Sequence, residues 1–254
     1  MTLAHDVVGD GPAVLLLHST VCDRRMWDPQ LSALVAAGYR VARCDLRGYG
    51  DSPLPDGTYD EGQDVVDLLD ALGADRAALV GASGGGRVAL EVAARWSDRV
   101  AGLALLCTAT AGLEPGPDLR VLWEREEALL EAGDVAGATE LNVDTWVGPE
   151  ADEATREKVR EMQRHSFEVQ LAASGETGPV RVPYELSTIT APSLLVSGAH
   201  DLPEFGTIAA DLATRLPHAR LVELDWAGHL PSLERPDIVN GLLVDFLREV
   251  LPAR

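Results

Sequence analysis

Gly81-Ala82-Ser83-Gly84-Gly85 follows an apolar run and opens a segment of helical spacing. In that setting a G-x-S-x-G pattern makes a tight strand-to-helix turn that holds the serine hydroxyl exposed. Small residues flank the serine because larger side chains would collide there. Ser83 then stands at a helix N-terminus, where amide N–H groups and the helix dipole favour negative charge. A serine hydroxyl is a weak nucleophile at neutral pH and needs a base, which in turn needs an orienting acid. The order expected after such a turn is acid, then histidine. Asp201 lies just beyond the apolar run 193–196, and His229 just beyond the run 220–224. All three candidates therefore fall at the C-terminal edge of one set of strands, where open α/β sheets place their sites. Of the other histidines, His5 and His218 read as solvated, and His165, in a helical segment, as a surface position with a place in a substrate-cavity wall as the alternative. His200 comes too early in its loop to be the base, and His18 belongs to a different loop.

Acyl transfer also needs donors for a tetrahedral oxyanion. One is the backbone N–H of Gly84, next after the serine. The second is expected from the loop after the first central strand, His18-Ser19-Thr20-Val21-Cys22-Asp23, with Thr20 as the choice and Val21 as the neighbouring alternative. Cys22 has no cationic helper in evidence and reads as an inert thiol.

These residues need a scaffold, and the hydrophobic pattern supplies one. Apolar runs at 14–17, 39–42, 77–80, 100–107, 193–197 and 220–224 read as strands, several without alternation, as suits strands buried on both faces. Segments 27–37, 61–72, 85–95, 207–216 and 237–250 have helical spacing between them. Alternating strands and helices predict a largely parallel sheet with right-handed crossovers, an α/β fold. The rhythm breaks from Gly112 to about Ser187. Turn-rich sequence at 112–117 and again at Gly175, Gly178, Pro179 and Pro183 bounds three amphipathic stretches. The expected organisation is a core of residues 1–111 and 188–254 with a helical insertion, a cap or lid, at 112–187.

Composition bounds the function. The chain has 254 residues, 41 Asp+Glu against 21 Lys+Arg, and a formal net charge of −20, with much of the acidic excess in the insertion. Nucleic acid and anionic membranes need a cationic footprint, so neither is a partner. The length supports a large core without a metal or disulfide staple. Three widely spaced cysteines without C-x-x-C read as free thiols of a cytoplasmic protein. The start lacks a cationic leader, and the apolar run 13–17 is too short for a signal core or a membrane span.

The ordered motifs resemble the α/β-hydrolase superfamily, in the subgroup with a cap inserted after the sixth strand. The carrying residues are the His18 loop leading to Trp27, Asp45-Leu46-Arg47-Gly48-Tyr49-Gly50-Asp51-Ser52, the Ser83 turn, Gly198-x-x-Asp201 and Gly228-His229-Leu230-Pro231. Small bacterial carboxylesterases and 3-oxoadipate enol-lactonase-like proteins are the most similar members. Two positions depart from the family habit. His18-Ser19 stands where His-Gly is common, and Gly84 stands where a large residue is common, leaving more room beside the serine. The resemblance implies a capped α/β-hydrolase fold whose Asp45–Ser52 loop shapes the base of the site. It also implies a serine hydrolase with the triad Ser83, Asp201 and His229, acting on an ester, lactone or thioester of a small, largely apolar substrate. No metal or organic cofactor is implied, and the protein would act as a monomer or homodimer. Trp123, Trp146, Met162 and Phe167 are the candidates to roof an apolar substrate cavity. A carbon–carbon hydrolase, a perhydrolase or a lyase would reuse the same triad, and a non-hydrolytic binding protein would retain only the fold.

Overall fold

The computed structural model describes residues 2–112, 115–173 and 177–253. Leu113, Glu114 and Gly175, part of the turn-rich boundaries of the insertion, lie outside the described residues. Nine strands run in chain order among the described residues: β1 (His5–Val8), β2 (Ala13–Leu17), β3 (Arg40–Cys44), β4 (Thr58–Tyr59), β5 (Ala77–Ala82), β6 (Val100–Leu106), β7 (Gly178–Pro179), β8 (Ser193–Gly198) and β9 (Ala219–Leu224). Seven of them form one sheet in the order β1-β3-β2-β5-β6-β8-β9, parallel except for the antiparallel β1–β3 pair. Strands β5, β6 and β8 are buried along their whole length, which is why their sequences are continuous apolar runs. The edge strands β1 and β9 are largely exposed. β1 escaped the sequence pattern because His5-Asp6-Val7-Val8 makes an edge from only two apolar residues.

Nine α-helices connect the strands among the described residues: α1 (Asp28–Ala36), α2 (Glu61–Ala71), α3 (Gly84–Arg95), α4 (Pro117–Glu131), α5 (Val135–Trp146), α6 (Glu153–Leu171), α7 (Pro203–Arg215), α8 (Pro231–Glu234) and α9 (Pro236–Val250). Helix α1 packs on α9, α2 packs on α3, and α9 crosses β6, so helices flank the sheet. α7 begins four residues before the spacing at 207–216 suggests, because Pro203 is tolerated at the first helical position. No helix among the described residues is long and apolar enough to cross a membrane.

Helices α4–α6 lie between β6 and β8 in chain order, within the span expected as the insertion. Asp134 and Asp152 start α5 and α6 by accepting from the amides of Gly137 and Thr155, each at 2.8 Å. Their apolar stripes, including Leu122, Val143, Val159 and Met162, join the core. Acidic residues such as Glu124, Glu127, Glu131, Glu153 and Glu157 face solvent. Glu126 is the exception. It turns inward to accept from Asn142, and burial raises its pKa. The chain leaves the insertion through β7, which pairs in parallel with β4, and Val180 N–H donates to Tyr59 O at 2.7 Å.

Candidate active site

Ser83 sits between β5 and α3 with φ +50° and ψ −117°, a conformation that L-residues rarely adopt. The neighbouring ladder holds it there: Ser83 N–H donates to Leu106 O at 3.0 Å, and Ala109 N–H donates to Ser83 O at 3.0 Å. Close packing explains the flanking glycines. A Cβ on Gly81 would lie 2.6 Å from both Gly85 O and Gly86 Cα. A Cβ on Gly84 would lie 2.5 Å from the Thr20 methyl. The room that Gly84 promised beside the serine is thus taken up by Thr20. Thr20, Ser83 and Gly84 all line one cavity of about 740 Å³.

Asp201 follows β8 and His229 follows β9, as the strand order requires. His229 Nδ1–H donates to Asp201 Oδ2 at 2.7 Å, with both side chains 2% exposed. That bond fixes the tautomer and leaves Nε2 as the acceptor. The other Asp201 oxygen accepts from Leu202 N–H at 2.7 Å. The His229 ring is flanked by Trp146 and Phe205, with ring centroids 4.4 and 4.3 Å away, and both of these aromatics line the Ser83 cavity. His229 N–H also donates to Trp146 O at 3.2 Å. The insertion therefore touches the imidazole directly.

Two supporting residues escaped the sequence reading. Buried Glu234 accepts from Gly228 N–H at 3.0 Å and from Leu230 N–H at 3.1 Å, bracing the backbone on both sides of His229. A Glu four residues after Leu230, closing the short helix α8, resembles the reach-back of a capping box and was the available signal. Phe205 carried none, since its role depends on where α7 begins.

Of the four proposed roof residues, Trp123 and Trp146 line the main cavity. Phe167 lines an adjoining one of about 130 Å³, with Thr20, Val21 and inward-turned Glu126. Met162 lines neither and packs in the core.

Cys107 Sγ lies within 4.8 Å of donor atoms on Asp201 and His229. A metal there would require a thiolate. Burial, reinforced by the Asp201 charge, pushes this thiol well above its usual range, and the Asp201 oxygens already accept from His229 and Leu202. The donor set suits an oriented imidazole better than a metal ion.

His18 proves structural. It is fully buried; Nδ1–H donates to Ser19 O at 2.8 Å, and Nε2 accepts from Leu46 N–H at 2.9 Å. The imidazole thus ties the Thr20 loop to the Asp45–Ser52 loop, whose Asp45 pairs with Arg24 and accepts from Asp51 N–H. Burial lowers the His18 pKa below its usual 6.5, against the opposing pull of Ser19 O, Asp45 and Asp23. Below that pH the unfolded chain takes up a proton that the folded ring refuses. The His18 contribution is therefore complete above about pH 6.5 and is lost as pH falls, by up to about 1.4 kcal/mol per unit. Urea unfolding of His18→Gln between pH 6.5 and 5 should show a flatter fall in stability than the parent; an unchanged slope would assign the titration elsewhere.

Comparison with known proteins agrees with this architecture. The sequence model of the alpha/beta hydrolase family matches residues 14–242. The chain is an alpha/beta hydrolase. A sequence assigned as carbamate hydrolase RutD, from Variovorax paradoxus, is 32% identical, covering 98% of this chain and 97% of its own. The enol-lactonase of Burkholderia xenovorans superposes with a TM-score of 0.79 at 28% identity, over 96% of each chain. A hydrolase from Pseudomonas aeruginosa gives 0.80 at 33% identity, over 96% of this alpha/beta hydrolase and 94% of that chain.

Proposed function

We propose that this alpha/beta hydrolase is a serine hydrolase that cleaves an ester, lactone or thioester of a small substrate through an acyl-enzyme, with α4–α6 as its cap. The observation that carries the reading is Ser83, held at positive φ on a helix N-terminus beside a cavity whose aromatic wall packs on an aspartate-oriented His229. In this mechanism His229 Nε2 takes the proton from Ser83 Oγ as the oxygen attacks the carbonyl carbon. The amides of Gly84 and Thr20 receive the oxyanion. Collapse expels the alcohol, which takes the proton from His229, and water activated by His229 then releases the acid. Thr20 is preferred over Val21 as second donor because Val21 N–H already points toward Ser19 Oγ at 3.5 Å, whereas Thr20 lines the cavity against Gly84. The enol-lactonase and carbamate hydrolase relatives favour acyl chemistry over the lyase alternative.

A fluorophosphonate probe is the direct test. The wild type should label at one site and Ser83→Ala should not. Equal labelling of the two proteins, or no labelling of the wild type, overturns the assignment.

A further inference from the structure

The smaller cavity of about 130 Å³ has a polar interior that the acylation chemistry does not use. Helices α4, α5 and α6 meet there and bring Glu126, Asn142 and Gln163 to its wall. Thr20, Tyr49, Trp123 and Trp146 line both this cavity and the one beside Ser83. The two spaces therefore adjoin at the residue assigned as the second oxyanion donor.

Gln163 is the residue that packing alone leaves unexplained. Its buried neighbours on α6 are Val159, Met162, Ser166 and Phe167, and it is itself only 3% exposed. Buried side-chain amides are normally hydrogen-bonded, because an unpaired polar group loses its water without replacement. Neither end of the Gln163 amide is hydrogen-bonded among the described residues. Asn142 shows the contrast. Its Nδ2 donates to Glu126 Oε2 and to Ala138 O, the latter at 3.0 Å, and its Oδ1 accepts from Trp146 Nε1–H at 2.9 Å. Asn142 is thus spent on fixing Glu126 and Trp146. The Gln163 N–H₂ and C=O and the second Glu126 oxygen stay unspent among the described residues. Burial raises the Glu126 pKa, the mark of a space that disfavours charge.

The complement of a free amide is another amide. N–H meets C=O and C=O meets N–H in one plane, and the second N–H of the guest is left for the Glu126 oxygen. We propose that this cavity is a subsite for a neutral primary carboxamide at the far end of the acyl chain. The substrate is then a short ester or thioester whose acyl group runs from the carbonyl beside Ser83, past Thr20, to Gln163. The amide is recognised there and is not the bond that is cleaved. The size suits a short polar group, since a water's share of liquid is about 30 Å³ and the cavity exceeds that about fourfold. The inference rests on the serine hydrolase reading for the position of the carbonyl, and on Gln163 and Glu126 alone for the amide.

Methyl esters of the monoamides of glutaric, adipic and pimelic acids carry that group at three chain lengths. Esters of the matched keto acids, in which a methyl group replaces the amide N–H₂, keep the shape and lose the donors. Wild-type kcat/KM should favour the amide over its matched ketone by about tenfold or more at one length. Titration calorimetry on Ser83→Ala should show the same preference in affinity. Gln163→Met keeps the length of the side chain, removes both hydrogen-bonding ends, and should cut the preference about tenfold. Glu126→Gln, on another helix, should cut it in the same direction, so the result does not depend on one buried replacement. Equal treatment of amide and ketone at all three lengths, or a preference that survives both replacements, overturns the subsite. Fluorophosphonate labelling with equal treatment of the two esters would retain the hydrolase and remove the subsite. An amide preference in affinity without labelling would retain the subsite and remove the hydrolase.

Discussion

Replacing His229 by Ala is expected to lower turnover of a short p-nitrophenyl ester by roughly 10⁴- to 10⁶-fold. The size follows from the role assigned to Nε2, which must take a proton on acylation and again on deacylation. Asp201→Asn should cost about 10⁴-fold through a different route: the amide oxygen stays with Leu202 N–H, so its NH2 group faces Nδ1 as a donor and holds His229 in the wrong tautomer. The combination of variants is the sharper measurement. Groups that work as one unit fail together, so Ser83→Ala combined with His229→Ala should be no slower than the slower single variant. Losses that multiply, or a His229→Ala rate within tenfold of the wild type, would reject the shared role.

The second large effect concerns stability. Gly81→Ala places a methyl group 2.6 Å from Gly85 O and Gly86 Cα and 2.7 Å from Gly86 N, all backbone atoms at the start of α3. Nothing there can rotate away, so the helix must move back from β5 or the turn must open. A forced backbone shift of this kind costs about 3 kcal/mol, at the upper end for overpacking. In a chain of this size that lowers Tm by roughly 6–12 °C. Ser83 would move with the helix, so activity should fall in step with Tm. A variant that melts within about 2 °C of the parent would show that the turn is looser than its packing implies.

Much of this was readable in the sequence because the chemistry and the fold are encoded locally. A buried strand ends, a G-x-S-x-G turn follows, and two further strands deliver Asp201 and His229 to the same sheet edge. What was not readable depends on contacts between distant segments. Arg87 and Arg181 both line the Ser83 cavity. Arg87, at four residues beyond Ser83, shared its helix face and was within reach of a spacing argument. Arg181 was not. It reaches Glu61 only through a two-residue pairing of Thr58–Tyr59 with Gly178–Pro179, too short for any periodic signal and built on a proline. Trp146 was singled out as a roof residue, but its packing on His229 depends on how α5 is seated over the sheet. Met162 had the same helical spacing and faces the core instead. Spacing marks the apolar stripe of a helix without saying which part of the stripe meets an empty volume.

The β4–β7 pairing has a mechanical consequence. In the proposed cap reading, the roof of α4–α6 is pinned at that corner by strand hydrogen bonding, and elsewhere Lys158 pairs with Asp28, Arg235 pairs with Glu150, and Gln170 donates to Gly48 O. A swing large enough to admit a bulky guest would have to break these ties together. The doorway then acts as a gauge, with Trp123 as an exposed jamb. On that reading guests would be sorted by girth before reaching Ser83, so broader traffic calls for trimming the jamb rather than loosening the ties.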